Sequence, residues 1–183
     1  MTKITALPLD SNPSGTDYIP TVDTTDTTTK KTTLNNVRTF VGTNFVNPYM
    51  FSAYMGSNQT TVATTWTKLN MNTEEYDVGS NYDTTNYRFT APVNGYYTFT
   101  VGVQLQGQAG VPFLVGFSKD GTTEYKRGQE IPNTTGNISL YGSMDCYLTA
   151  GEYIYPIYYS QSASKTLNGT AIYSRFQGRL VST

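Results

Sequence analysis

The chain has 183 residues, enough for one domain with a proper core plus an appendage. Its 12 basic and 13 acidic residues leave a net charge of −1, which gives no electrostatic hold on a nucleic-acid backbone or an anionic lipid surface. It has no histidine, which excludes a Ser-His-Asp triad, a Cys–His dyad and a histidine-bearing zinc site. Sixteen tyrosines, eight phenylalanines and abundant threonine favour pleated strands over helices, so the fold is expected to be all-β.

Residues 1–46 carry much of the threonine bias and few large apolar side chains. Asp17–Val22 and Thr29–Leu34 read as paired strands around a loop at Asp23–Thr28. Leu34, Val37, Val41 and Phe45 then recur at steps of three and four, predicting a short amphipathic helix capped by Thr33. A hairpin and one helix bury too little to stand alone, so this segment is expected to dock onto another surface. Ile19, Val22, Leu34, Val37 and Val41 are its candidate anchor residues.

From Asn47 the pattern is β throughout. Tyr49, Phe51, Ala53 and Met55 alternate with Met50, Ser52 and Tyr54, followed by a polar turn at Gly56–Thr60. Trp66, the single tryptophan, stands in a short strand, and residues 70–85 read as a loop or a short edge strand. Asn81–Gln106 reads as a hairpin: a strand to Ala91-Pro92, an Asn94-Gly95 turn at positive φ, then a long strand. In that strand Tyr97, Phe99, Val101, Val103 and Leu105 face inward. Val111–Ser118 is apolar on both faces and reads as buried, turned back at Asp120-Gly121 into Thr122–Arg127. Residues 128–137 read as a loop. Ile138–Leu148 alternates cleanly, with Leu140, Gly142, Met144, Cys146 and Leu148 inward. Tyr153–Ser160 is rich in tyrosine, and Pro156 within it argues for an edge position or a bulge. A loop at Gln161–Gly169 and a last strand at Tyr173–Val181 complete a pattern of seven or eight strands, that of an antiparallel sandwich.

Little in the chain points to chemistry. Cys146 is alone, on an apolar strand face, and reads as a buried small hydrophobe. The acceptor-like sequences at Asn58, Asn133, Asn137 and Asn168 read as products of composition. No run approaches a membrane span, and the first residues lack the pattern of a secretory signal, so synthesis in a cytoplasm is expected. Glu74, Glu75 and Asp77 could in principle pair for glycoside hydrolysis, but their polar surroundings read as solvated loop. Asp77, Asp83, Asp120 and Asp145 lack calcium-loop spacing. No catalytic residue, metal or cofactor is therefore assigned.

Several stretches resemble the globular head of the complement C1q and tumour-necrosis-factor-like superfamily. They are Phe51-Ser52-Ala53, the run from Tyr82-Asp83 through Phe89-Thr90-Ala91-Pro92-Val93-Asn94-Gly95-Tyr96-Tyr97-Thr98-Phe99, Leu148-Thr149-Ala150-Gly151-Glu152-Tyr153-Ile154, and Ser174–Leu180. Glu152 replaces the family's usual aspartate. The resemblance covers about three quarters of the chain, residues 47–183. It implies a C1q/TNF-like jelly-roll sandwich assembling as a homotrimer, with Phe51, Tyr97, Phe99, Tyr153, Tyr155 and Phe176 as interface or core residues. Collagen repeats, which precede this head in many animal proteins, are missing.

Ile4-Thr5-Ala6-Leu7-Pro8, Gly15–Val22 and Thr29–Leu34 resemble openings of structural proteins from tailed bacteriophages. Together the two resemblances imply a non-enzymatic virion protein, a head fibre or capsid decoration. Residues 1–46 would anchor it to other virion proteins, and the trimeric knob would adhere to a host-surface glycan or protein. Loops 56–64, 106–111, 128–137 and 161–170 are the candidate contacts. A tail-fibre or baseplate receptor-binding tip is the alternative, and a soluble C1q-like binding module a third reading.

Overall fold

The computed structural model describes residues 14, 16, 18–22, 29–37, 47, 49–108, 112–131 and 136–183. It divides into two units, Met1–Val46 and Asn47–Thr183. In the first, β1 (Tyr18–Val22) pairs antiparallel with β2 (Thr29–Thr33), in register from Tyr18 opposite Thr33 to Val22 opposite Thr29. Residues 34–37 then turn into a helix whose start is capped by Thr33, its hydroxyl accepting the Asn36 N–H at 3.1 Å. The rest of the expected helix, to Phe45, lies outside the described residues.

Along the second unit the strands are β3 (Met50–Tyr54), β4 (Gln59–Thr60), β5 (Thr67–Lys68), β6 (Thr73–Val78), β7 (Tyr82–Asp83), β8 (Arg88–Thr90) and β9 (Gly95–Gln108). There follow β10 (Phe113–Ser118), β11 (Lys126–Ile131), β12 (Gly136–Leu148), β13 (Tyr153–Ser160), β14 (Thr166–Leu167) and β15 (Ser174–Ser182). One sheet runs β12-β9-β15-β3-β6, with β14 continuing the line of β15 along β9 and pairing β4. The other runs β11-β10-β13-β8-β7, with β5 also on β13. All the strand pairs are antiparallel.

The period of two decides which side chains fill the space between the sheets. On β9 Tyr97, Phe99, Val101, Val103 and Leu105 are buried, as are Leu140, Met144, Cys146 and Leu148 on β12, while Ser139, Tyr141, Ser143, Asp145 and Tyr147 point out. Phe51 lies at the centre, its ring 4.9 Å from Phe176, 5.1 Å from Phe89 and 4.7 Å from Tyr82. Fully burying rings of this size contributes roughly 1.5–3 kcal/mol each, so this cluster dominates the core.

Some expectations do not hold. Residues 91–94 do not form a hairpin, because β8 and β9 belong to different sheets and the segment crosses between them. The Ala91 N–H donates to the Glu152 carbonyl at 2.9 Å, and the Gly151 N–H to the Ala91 carbonyl at 2.8 Å. This ties the crossing to the parallel one at 149–152. Gly95 does not take a positive φ; it is required because a Cβ there would stand 2.5 Å from the Ser182 carbonyl oxygen. Nor does Pro156 mark an edge. Strand β13 lies between β10 and β8, and its proline falls where β8 has ended and β5 has not begun. No ladder donor is lost there, and the Pro156 carbonyl still accepts the Leu69 N–H at 2.9 Å. The expected loops at 128–137 and 161–170 contain strand: β11 reaches Ile131, β12 starts at Gly136, and β14 buries Leu167.

Candidate interaction face

The outward side of the β12-β9-β15-β3-β6 sheet differs from the rest of the surface. Cross-strand rows follow from the registers: Tyr147 with Tyr96, then Asp145, Thr98, Arg179 and Met50, then Ser143, Thr100, Gln177 and Ser52, then Tyr141, Gly102 and Arg175. Tyr141 is 68% exposed, Tyr96 57% and Tyr147 47%, and Ile172 at the margin is 84% exposed. Tyr76, Val78, Tyr173 and Val181 also lie exposed on this face or its rim. Tyr96 and Tyr147 meet edge to face at 5.3 Å. The Tyr141 ring lies over Gly102, whose absent side chain leaves it room. Four shallow hollows of about 240 to 510 Å³ open along this one face.

Polar side chains stand between the aromatic ones, and two of them bind the sheet edge. Glu75 accepts the Ser52 hydroxyl at 2.7 Å through one oxygen and Arg175 at 3.2 Å through the other, which clamps the edge strand β6 to the sheet. Asp145 and Arg179 flank Thr98 and border one hollow. Among the described residues no three His, Cys, Asp or Glu side chains are grouped to hold a metal.

The opposite sheet has a closed outer surface. Arg88 lies 3.9 Å over the Tyr153 ring and donates to the Tyr155 hydroxyl at 3.0 Å, and Lys68 lies 4.4 Å over the Tyr155 ring. Trp66 packs against Tyr159 at 5.6 Å. At the end of the domain where the sheets exchange chain, the Lys119 ammonium donates to Glu152 at 2.7 Å, and the Thr149 N–H donates to the same carboxylate. These contacts hold the Glu152 carboxyl down to about 2. Burial pushes the Cys146 thiol up to about 11. Asp120 is held far below the carboxylate range because its Oδ1 accepts the Thr122 and Thr123 N–H groups, both at 2.7 Å, which shapes the β10–β11 loop.

The residues expected at the interface or core separate clearly. Phe51, Tyr97, Phe99 and Phe176 are wholly enclosed between the sheets, where they serve as core and are out of reach of another molecule. Tyr153 and Tyr155 are in the other sheet, under Arg88 and Lys68. Sequence reasoning missed the outward tyrosines 96, 141 and 147. Their signal was present as bulky aromatics recurring on the otherwise small and polar side of two alternating strands. In the first unit Ile19 and Leu34 are half-buried and Val37 is 37% exposed. Val22 lies in β1 with its side chain outside the described part, and Val41 lies outside the described residues.

The described parts of the four candidate contact loops gather at one end of the domain. Thr61 links two of them, donating its N–H to the Lys165 carbonyl and its hydroxyl to the Ser162 carbonyl, at 2.8 and 2.9 Å. The chain enters at the other end, where the Leu180 N–H donates to the Tyr49 carbonyl.

No family model matches the chain, and no curated protein matches it. Solved structures do. The globular domain of zebrafish complement 1qA protein superposes with a TM-score of 0.54 at 12% identity, covering 73% of this chain and 97% of the other. Murine APRIL gives 0.55 at 11% identity over 73% and 98%, and Eiger TNF from S. frugiperda 0.53 at 8% over 74% and 94%. At such identities the likeness establishes the fold, a C1q/TNF-like jelly roll.

Proposed function

We propose that this chain is a non-enzymatic, homotrimeric binding module closed through the outer face of the β12-β9-β15-β3-β6 sheet. One observation carries this reading. Among the described residues eleven large hydrophobic side chains are exposed, and eight of them (Tyr76, Val78, Tyr96, Tyr141, Tyr147, Ile172, Tyr173 and Val181) lie on or around this face. Exposed aromatic side chains and arginines gathered on one sheet face among small polar residues are characteristic of an interaction surface. Copies of this chain arranged head to tail around a closed ring would cover such a face on every member. The C1q/TNF-like resemblance favours three members in that ring.

The module's role, on the same reading, is display on a phage virion as a head fibre or capsid decoration. The phage-like opening supports residues 1–46 as the anchor. Because the domain is entered at the end away from the loops, anchoring there would leave the loop end free to meet a host glycan or protein. Three weak loop contacts on one rigid body would then add through multivalency.

Native mass spectrometry of the full chain tests the assembly: the expected species is three times 20.2 kDa, and a monomer at micromolar concentration overturns it. Particles assembled with a chain lacking residues 1–46 should carry none of it, and continued incorporation overturns the anchor. Density for the chain on capsid or tail distinguishes a decoration from a fibre tip.

A further inference from the structure

The outer face carries two charges that no described residue neutralises. Asp145 on β12 and Arg179 on β15 both stand opposite Thr98 of β9, so they share a height along the strands. Two strand spacings, about 10 Å, separate their backbones. Both are exposed and border the same hollow, and among the described residues neither enters an ion pair or hydrogen bond. Arg175, one row away on β15, is instead paired with Glu75.

A rotation about an axis running along the strands leaves height unchanged. Copies that close a ring by such a rotation bring the β12 side of one face against the β15 side of the next, each row meeting its own counterpart. We propose that Asp145 of one copy pairs with Arg179 of the next, and that this contact fixes the register in which the tyrosine-rich faces meet; the inference rests on the assembly proposed above. The same register sets Tyr141 of one copy beside Arg175 of the next, a ring against a guanidinium. Apolar burial is non-directional and would let two such faces slide. A charge pair inside the contact penalises every displaced register, since it would leave both charges desolvated and unmatched.

Charge exchange is the test, read by native mass spectrometry and sedimentation of the full chain across a dilution series. Asp145→Asn and Arg179→Gln should each raise the concentration for half-dissociation by roughly tenfold or more. The reversals Asp145→Arg and Arg179→Asp should dissociate the ring further, and the double reversal should restore it. Circular dichroism and thermal melting establish that each dissociated variant remains folded. A wild-type trimer that all four single variants leave unchanged overturns the pairing while the trimer stands. A double reversal that stays dissociated though folded also overturns it. A wild-type monomer overturns the assembly itself.

Discussion

A methyl group added at Gly178 would stand 2.4 Å from Phe99 Cδ1 and 2.9 Å from Phe51 Cε1, both rings fixed in the core. At Gly102 it would meet the Tyr141 ring at 2.9 Å, but within a single protomer that ring is exposed and can turn. Gly178→Ala should therefore cost about 1–3 kcal/mol of protomer stability, and Gly102→Ala less, its main effect falling on how the faces meet. Urea unfolding at one fixed protein concentration measures both, and equal midpoints would contradict the assignment of the two glycines to opposite faces. Cys146 gives a second residue-scale outcome. The residue is 7% exposed and its thiol is pushed up to about 11 by burial, so the thiolate is scarce at neutral pH. A thiol reagent at pH 7 should modify it only as fast as the domain opens, and in denaturant at once. Rapid labelling of the folded protein would show the β12 inner face to be accessible.

At the scale of elements, the two crossings between sheets are held as one unit. The 91–94 and 149–152 segments exchange backbone hydrogen bonds, Asn94 Oδ1 accepts the Ala150 N–H at 2.8 Å, and Glu152 ties in Lys119. Folding lowers the Glu152 carboxyl from 4.5 to about 2, chiefly through the Lys119 hydrogen bond. The folded state thus holds this proton less tightly than the unfolded chain does. The resulting stabilisation is complete above pH 4.5 and lost as pH falls toward 2. Melting temperatures of the wild type and Glu152→Gln should differ at pH 6 and converge near pH 2; a gap that stays constant would show that the carboxylate does not titrate in this role. Local sequence did not disclose these crossings. Pro92-Val93-Asn94-Gly95 carries the same turn residues as a hairpin, and only the pairing of β8 with β13, far along the chain, shows otherwise. Pro156 misled for a related reason: whether a missing N–H matters depends on what lies beside it, here a gap between two partner strands.

For the whole molecule, the alternation of β9 and β12 was legible residue by residue, and so were the β1–β2 hairpin, the Thr33 cap and the jelly-roll fold. The interaction face was not. Period two sorts a strand into two sides and assigns the more apolar side to the interior, which is correct for Tyr97 and Phe99. It cannot tell which exterior will be covered by another molecule, because that depends on how Tyr96, Tyr141, Tyr147 and Ile172 gather from separate strands.

The domain's first and last strands lie side by side and antiparallel, with Met50 opposite Arg179, so the domain begins and ends at the same side. Force then has two different effects. Tension between residues 47 and 182 peels β3 from β15 bond by bond. Tension between residue 47 and the loop end runs along β3 and loads its bonds to β15 and β6 together, in shear. Handles at Asn47 and Thr170, which precedes β15 at the loop end, should therefore demand a much larger rupture force than handles at Asn47 and Ser182, and equal forces would contradict this geometry. A knob held at residue 47 and pulled by whatever its loops grip is loaded along its strong direction.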